Sequence, residues 1–105
     1  MRFVETPVFT ERVTSALDDA SYRRLQLALL LRPEQGVLIK GSGGLRKLRW
    51  AGSGRGKRGG VRLIYFWHRE SETFYMLYVY PKNERSDLSH AQVRILRRLV
   101  EEEFK

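Results

Sequence analysis

Two apolar segments only four residues apart constrain this chain more than any other feature. Val61 to His68 reads VRLIYFWH, and Thr73 to Tyr80 reads TFYMLYVY. Both are rich in β-branched and aromatic residues, as strands are. The connector Arg69-Glu70-Ser71-Glu72 has the length of a hairpin turn. A third strand is expected upstream, from Leu45 to Ala51. There Leu45, Leu48 and Trp50 alternate imperfectly with Arg46, Lys47 and Arg49. Alternation sends Trp50, Tyr65, Phe66 and Trp67 mainly to the core.

The flanking segments have helical spacing. Asp18-Asp19 opens DDASYRRLQLALLLRP, in which Tyr22, Leu25, Ala28, Leu29 and Leu31 form an apolar stripe. Pro33 ends it, because the residue before a proline is biased away from helix. Before it, Thr10 to Leu17 reads as a short helix capped by Thr10. Arg2 to Phe9 reads as an edge strand around Pro7, since proline cannot donate to an interior ladder. Glu34 to Gly44 is loop with a short apolar piece, Val37 to Ile39. Ser89 caps a last helix carrying Val93, Leu96, Leu99, Val100 and Phe104. Glu101 to Glu103 crowd its C-terminal end, where the macrodipole disfavours them, so that end is expected to fray. The order strand, helical hairpin, three strands and helix predicts an α+β fold with a mainly antiparallel sheet. At 105 residues, the length prior makes residues 1–105 one domain.

Charge narrows the partners. The chain carries 20 Lys and Arg against 12 Asp and Glu, a net +8, which makes a polyanion such as RNA or DNA the first expectation. It has no cysteine, which excludes disulfides, thiolate nucleophiles and thiolate zinc sites. His68 and His90 have no metal-ligand spacing and the acids are scattered, so neither metal nor cofactor is expected. The start lacks the apolar core of a signal peptide and no run approaches a membrane span, so the expectation is a cytoplasmic protein without membrane contact.

From Gly41 to Tyr65 the chain holds many cations and no acid. Gly52 to Gly60, GSGRGKRGG, would join two strands. Glycine tolerates positive φ and lets a backbone approach closely, so such a hairpin is able to press N–H groups and cations against phosphate. It is not a P-loop: GxxxxGK[ST] is absent, and a strand follows where a helix is required. A solvated hairpin tip is the plain alternative. Lys47, Arg49 and Arg62 alternate with core-facing residues and are expected on or near one sheet face, with Lys82 and Asn83 arriving just past the next strand. Such a face, free of neutralising acids, implies an anion that completes it.

Three stretches in register carry a resemblance: GSGGLRKLR at Gly41 to Arg49, GKRGGVRLIYFW at Gly56 to Trp67, and FYMLYVYPKNERSDLS at Phe74 to Ser89. The chain resembles toxins of the HigB/RelE superfamily of type II toxin–antitoxin systems, with its best match to the HigB branch, over nearly its whole length. The resemblance implies a microbial-RNase-like fold and a ribosome-dependent endoribonuclease that cuts mRNA in the A site. It also implies a HigA-like antitoxin of helix-turn-helix type, contact with ribosome and mRNA, and operator DNA reached only through the antitoxin complex. By position, Arg62 matches the arginine after the glycine hairpin, Lys47 and Arg49 the basic pair on the preceding strand, and Lys82 the lysine after the last strand. Lys57 and Arg58 belong to the basic hairpin. Some relatives have an arginine at Asn83 and an aromatic base near Ser89; others use a C-terminal histidine, for which His90 is the nearest candidate.

Metal-independent cleavage needs the 2′-hydroxyl to attack the adjacent phosphate. Arg62, supported by Arg49, suits the phosphorane charge, because guanidinium is permanently charged and matches phosphate geometry. Lys82 or Lys57 suits proton transfer, since neighbouring cations disfavour an ammonium. Lys47 and Arg58, with Arg46, Arg55 and Asn83, are assigned to RNA or ribosome contact. Two other readings stand beside this one: a non-catalytic RNA- or DNA-binding module, and a ParE-like toxin acting on DNA gyrase.

Overall fold

The two apolar segments form the centre of a five-stranded sheet. The computed structural model describes residues 1–51, 60–84 and 87–104. Its elements, in chain order, are β1 (Arg2–Glu5), α1 (Pro7–Ala16), α2 (Asp19–Leu31), β2 (Val37–Leu38), β3 (Arg46–Trp50), β4 (Val61–His68), β5 (Thr73–Pro81) and α3 (His90–Glu103). The strand order is β1-β5-β4-β3-β2. β1 runs parallel to β5, and every other pairing is antiparallel. The α+β architecture and mainly antiparallel sheet are as the sequence predicts.

The sheet is covered on both faces, which is why β4 and β5 are apolar nearly throughout. On one face Phe9, Val13 and Leu17 of the first helical segment and Leu25 and Leu29 of α2 pack on Val61, Leu63, Tyr65, Phe74, Met76 and Val79. On the other, Leu96 and Val100 of α3 pack on Leu45, Ile64, Tyr75, Leu77 and Tyr80. The β4–β5 ladder shifts register between Ile64 and Tyr65: Ile64 pairs with Tyr78 and Tyr65 with Met76. The extra residue, Leu77, lies between those partners, and its carbonyl accepts a hydrogen bond from Thr6 Oγ1 at 2.8 Å.

That contact explains where the N-terminal boundary falls. β1 is an edge strand as expected, but it stops at Glu5, and Pro7 opens α1 instead of sitting in the strand. Thr6, not Thr10, is the N-cap, with Oγ1 accepting from the Phe9 N–H at 3.1 Å. Proline's fixed φ suits the first helical position, where its missing N–H is no loss. Thr10 instead donates to Glu5 Oε1 at 2.6 Å.

α2 is capped by Asp18, whose Oδ1 accepts from the Ser21 N–H at 2.8 Å. Its stripe is narrower than expected. Leu25 and Leu29 are fully buried, but Leu31 is 83% exposed, because two residues on from Leu29 the helix has turned to its far side. The Tyr65 hydroxyl ties down the following loop, donating to the Pro33 carbonyl at 2.8 Å and accepting from the Gly36 N–H at 3.0 Å.

α3 begins with the expected Ser89 cap and adds a capping box with Gln92. Its far end does not fray. The helix runs through Glu103, the Phe104 N–H donates to the Val100 carbonyl at 3.0 Å, and the Phe104 ring stacks on His68 at 4.2 Å. Phe66 and Tyr75 lie within 6 Å of the same ring. This aromatic anchoring outweighs the unfavourable dipole contact of Glu101 to Glu103, and Glu101 is also paired with Arg97 at 3.1 Å.

Candidate anion-binding site

β3 and β4 bring separate cations into one place. In the antiparallel register Arg49 faces Arg62 and Lys47 faces Ile64, while across β4–β5 Arg62 faces Tyr80. Directly paired residues share a face, and so do residues two apart on a strand. Lys47, Arg49, Arg62, Ile64 and Tyr80 therefore lie on the face that α3 covers.

Arg62 is the unusual member. It is only 6% exposed, yet its Nε has no hydrogen-bond partner among the described residues, and no carboxylate there forms a salt bridge with it. A buried guanidinium nitrogen without a partner is costly, so a position like this calls for one, which an ordered water or an anionic ligand supplies. The planar donor fork of arginine fits a phosphate or carboxylate.

The cluster is not free of acid, contrary to expectation. Lys47 Nζ donates to Asp87 Oδ1, bringing together residues forty apart in sequence. Hydrogen bonding from Lys47 holds the Asp87 carboxyl below the usual carboxylate range, reinforced by the charges of Lys47, Arg62 and Arg49. Asp87 itself is exposed. Among the described residues it is thus an anion that feels all three cations.

The other expected site residues divide. Lys82 follows the end of β5, its N–H donating to the Gly60 carbonyl at 3.3 Å, two residues past Tyr80 and exposed. Asn83 is exposed in the turn that follows. His90 is the first residue of α3 and lines a cleft of about 570 Å³ together with Lys47, Asp87 and Ile64. Arg46 does not join them. It neighbours Lys47 on β3 and so faces the other way, and its Nη1 donates to the Glu34 and Gly36 carbonyls at 2.9 and 2.8 Å. The reason is alternation, and its guanidinium is spent on holding the loop after α2. Lys57, Arg55 and Arg58 lie outside the described residues, with the glycine hairpin that carries them.

Residues that the sequence reading passed over also reach the cleft: Lys40, Arg94 and Arg97. Arg94 and Arg97 are spaced i, i+3 on α3 and so share a flank of the helix, a signal available from the sequence. Arg97 lies over a glycine turn. A Cβ on Gly43 would come 3.1 Å from its Nε, and one on Gly44 would come 2.9 Å from the Phe66 ring. Both glycines have positive φ, +74° and +110°, which an L side chain rarely adopts. Among the described residues, no three His, Asp or Glu side chains gather as a metal site requires.

These features define a class: a three-layer α+β fold whose sheet face under the last helix carries the cations Lys47, Arg49 and Arg62. A family model described as the RelE toxin of the RelE/RelB toxin–antitoxin system matches residues 30–105, and the chain belongs to that family. It is therefore a toxin-family protein, and membership implies an antitoxin partner. Among solved structures it is similar to a mutant of the E. coli toxin RelE in the free state, with a TM-score of 0.60 and 13% identity over 93% of this chain and 94% of that one. That likeness establishes the shared fold.

Proposed function

We propose that this chain is a ribosome-dependent, metal-independent mRNA endonuclease of the HigB-like branch, acting in the cytoplasm and neutralised by a HigA-like antitoxin. The observation that carries the proposal is Arg62, buried, with an Nε that has no partner among the described residues, on a face shared with Arg49 and Lys47. In this reading the scissile phosphate of A-site mRNA completes the cluster. The 2′-hydroxyl attacks that phosphate, the P–O5′ bond breaks, and a 2′,3′-cyclic phosphate and a 5′-hydroxyl result.

Arg62 and Arg49 stabilise the extra negative charge of the phosphorane, the step for which pre-positioned guanidinium charges are most effective. His90, at the cleft that also holds Lys47 and Asp87, carries one of the two protons, and Lys82 the other. Asp87 keeps Lys47 ordered until RNA phosphate arrives. The antitoxin offers acidic or apolar surface that blocks the basic face or prevents entry into the ribosome.

Primer extension on mRNA bound to programmed ribosomes tests the proposal. The wild type is expected to give discrete breaks within the A-site codon, and Arg62→Ala to slow them by about 10²- to 10³-fold, as loss of a main transition-state donor does. Cleavage by Arg62→Ala at the wild-type rate would sink the role given to Arg62. Intact transcripts in cells arrested by the wild type would sink the nuclease reading and favour action on DNA gyrase.

A further inference from the structure

α2 holds more leucine than the sheet covers. Leu25 and Leu29 are fully buried in the core beneath it, whereas Leu27 is 55% and Leu31 83% exposed. Four residues apart, the two share one side of the helix, and Arg23 precedes them in the same row. Rows of this i±4 kind are the ridges by which helices interdigitate. Arg24, three residues before Leu27, stands on the other side of Leu27 from Arg23, and Arg32 follows Leu31 at the helix end.

The charges along this ridge are of one sign. Arg23, Arg24 and Arg32 are all exposed, and none forms an ion pair among the described residues. From Ala20 to Arg32 the chain has no acid. Leucines exposed between unpaired cations match an apolar stripe flanked by carboxylates. α2 has 13 residues, a length of about 20 Å, enough for about three turns of a second helix. Other occupants fit less well. A second copy would set these arginines against their own kind, on a chain already at +8. An anionic bilayer would meet Asp18 and Asp19 at one end of the helix and Glu34 beyond the other, all exposed. RNA would use the cations and leave the leucines in water.

We propose that the solvent face of α2 is a docking surface for an acidic amphipathic helix of another protein. The partner's apolar stripe packs on Leu27 and Leu31, and carboxylates on its flanks meet Arg23, Arg24 and Arg32. α2 covers one face of the sheet, and Lys47, Arg49 and Arg62 lie on the other, under α3. A partner held through α2 alone therefore leaves those cations uncovered. The surface does not depend on the nuclease reading.

The test uses the full chain, isotope-labelled, and a blocked synthetic peptide of about 18 residues, long enough to span α2. The peptide carries leucines in one helical stripe and glutamates on both flanks. Binding is read from amide chemical shifts and from the anisotropy of a fluorescein-labelled peptide at several salt concentrations. Shifts are expected along α2 and not on the strands that carry Lys47, Arg49 and Arg62. Leu27→Ser with Leu31→Ser is expected to weaken binding about tenfold, the loss that follows when interface anchors are removed. Arg23→Gln, Arg24→Gln and Arg32→Gln together are expected to weaken it and to flatten its dependence on salt. All of these positions are exposed, and circular dichroism confirms that the variants fold.

Absence of shifts at millimolar peptide would overturn the proposal, as would shifts centred on the Lys47, Arg49 and Arg62 face. So would unchanged affinity in the leucine variant, or equal binding by a control peptide whose leucines are replaced by glutamine. Two further results would overturn it by reassigning the surface. A wild-type dimer in sedimentation that Leu27→Ser with Leu31→Ser dissolves would make the occupant a second copy. Binding to vesicles of phosphatidylglycerol and phosphatidylcholine that the same variant loses, with the peptide unbound, would make it a membrane.

Discussion

Arg62→Met is expected to make the protein more stable while abolishing its function. An unsatisfied buried donor costs about 1–3 kcal/mol, and Arg62 Nε has no partner among the described residues. Arg49 directly opposite adds like-charge repulsion of about 0.2–1 kcal/mol. Methionine keeps most of the aliphatic stem and fills irregular space, so little packing is lost. Against this gain stands the loss of attraction to Asp87, which is exposed and screened. The balance is a gain of about 1–2 kcal/mol, or roughly 5–10 °C in Tm for a domain near this size.

The assay is urea and thermal unfolding followed by circular dichroism in a buffer free of multivalent anions. Phosphate supplies a second arm. At ten times its Kd it should stabilise the wild type by about 1.4 kcal/mol and leave Arg62→Met unmoved, closing the gap between them. A variant less stable than wild type by 1 kcal/mol or more would refute the reasoning, because Arg62 would then be a structural residue rather than one held in readiness for a ligand. Equal phosphate stabilisation of both proteins would refute it as well.

Three other outcomes follow from the structure. Thr6→Ala removes both the α1 cap and the donor to the Leu77 carbonyl, and is expected to cost about 2 kcal/mol in denaturant unfolding, while Thr6→Ser retains most of it. Tyr65→Phe strips the hydroxyl from between Pro33 and Gly36 and is expected to cost about 1–3 kcal/mol. Burial raises the Tyr65 phenol above its ordinary value, so its contribution is present below that value and lost as pH rises through the raised one; the wild type should lose stability in alkali more steeply than the variant. Asp87 has the opposite sign: its folded value is depressed, so the Lys47–Asp87 contact favours the fold above the ordinary carboxylate range and is lost as pH falls through the lowered value. NMR titration of the Asp87 carboxyl carbon should show this, and Lys47→Met should bring the midpoint back up.

Much of the fold was open to reading because it depends on local signals. β4 and β5 stand out through unbroken β-branched and aromatic runs on either side of a four-residue connector, and α3 through Ser89 and its apolar spacing. Errors arose where a residue has two lawful uses. Pro7 suits an edge strand or a helix start, and the choice was made by Thr6, whose hydroxyl reaches Leu77 seventy-one positions away. Leu31 continues a helical count but not the face that the sheet covers. The acids after Val100 predict a frayed end only when Phe104 has nothing to stack on, and His68 supplies that surface.

Within the candidate site, strand alternation put Lys47 and Arg49 together and also contained the reason for setting Arg46 apart. Asp87, Lys40, Arg94 and Arg97 could not be joined to them from the chain alone, for their meeting depends on strand order and on where α3 crosses the sheet. Composition and periodicity were sufficient to establish a basic α+β chain and most of its elements, because side-chain spacing and backbone sterics act over a few residues. Which cations converge, which one is buried and which acid meets them was settled only by long-range pairing, since register and helix packing are collective properties of surfaces brought together from distant parts of the chain.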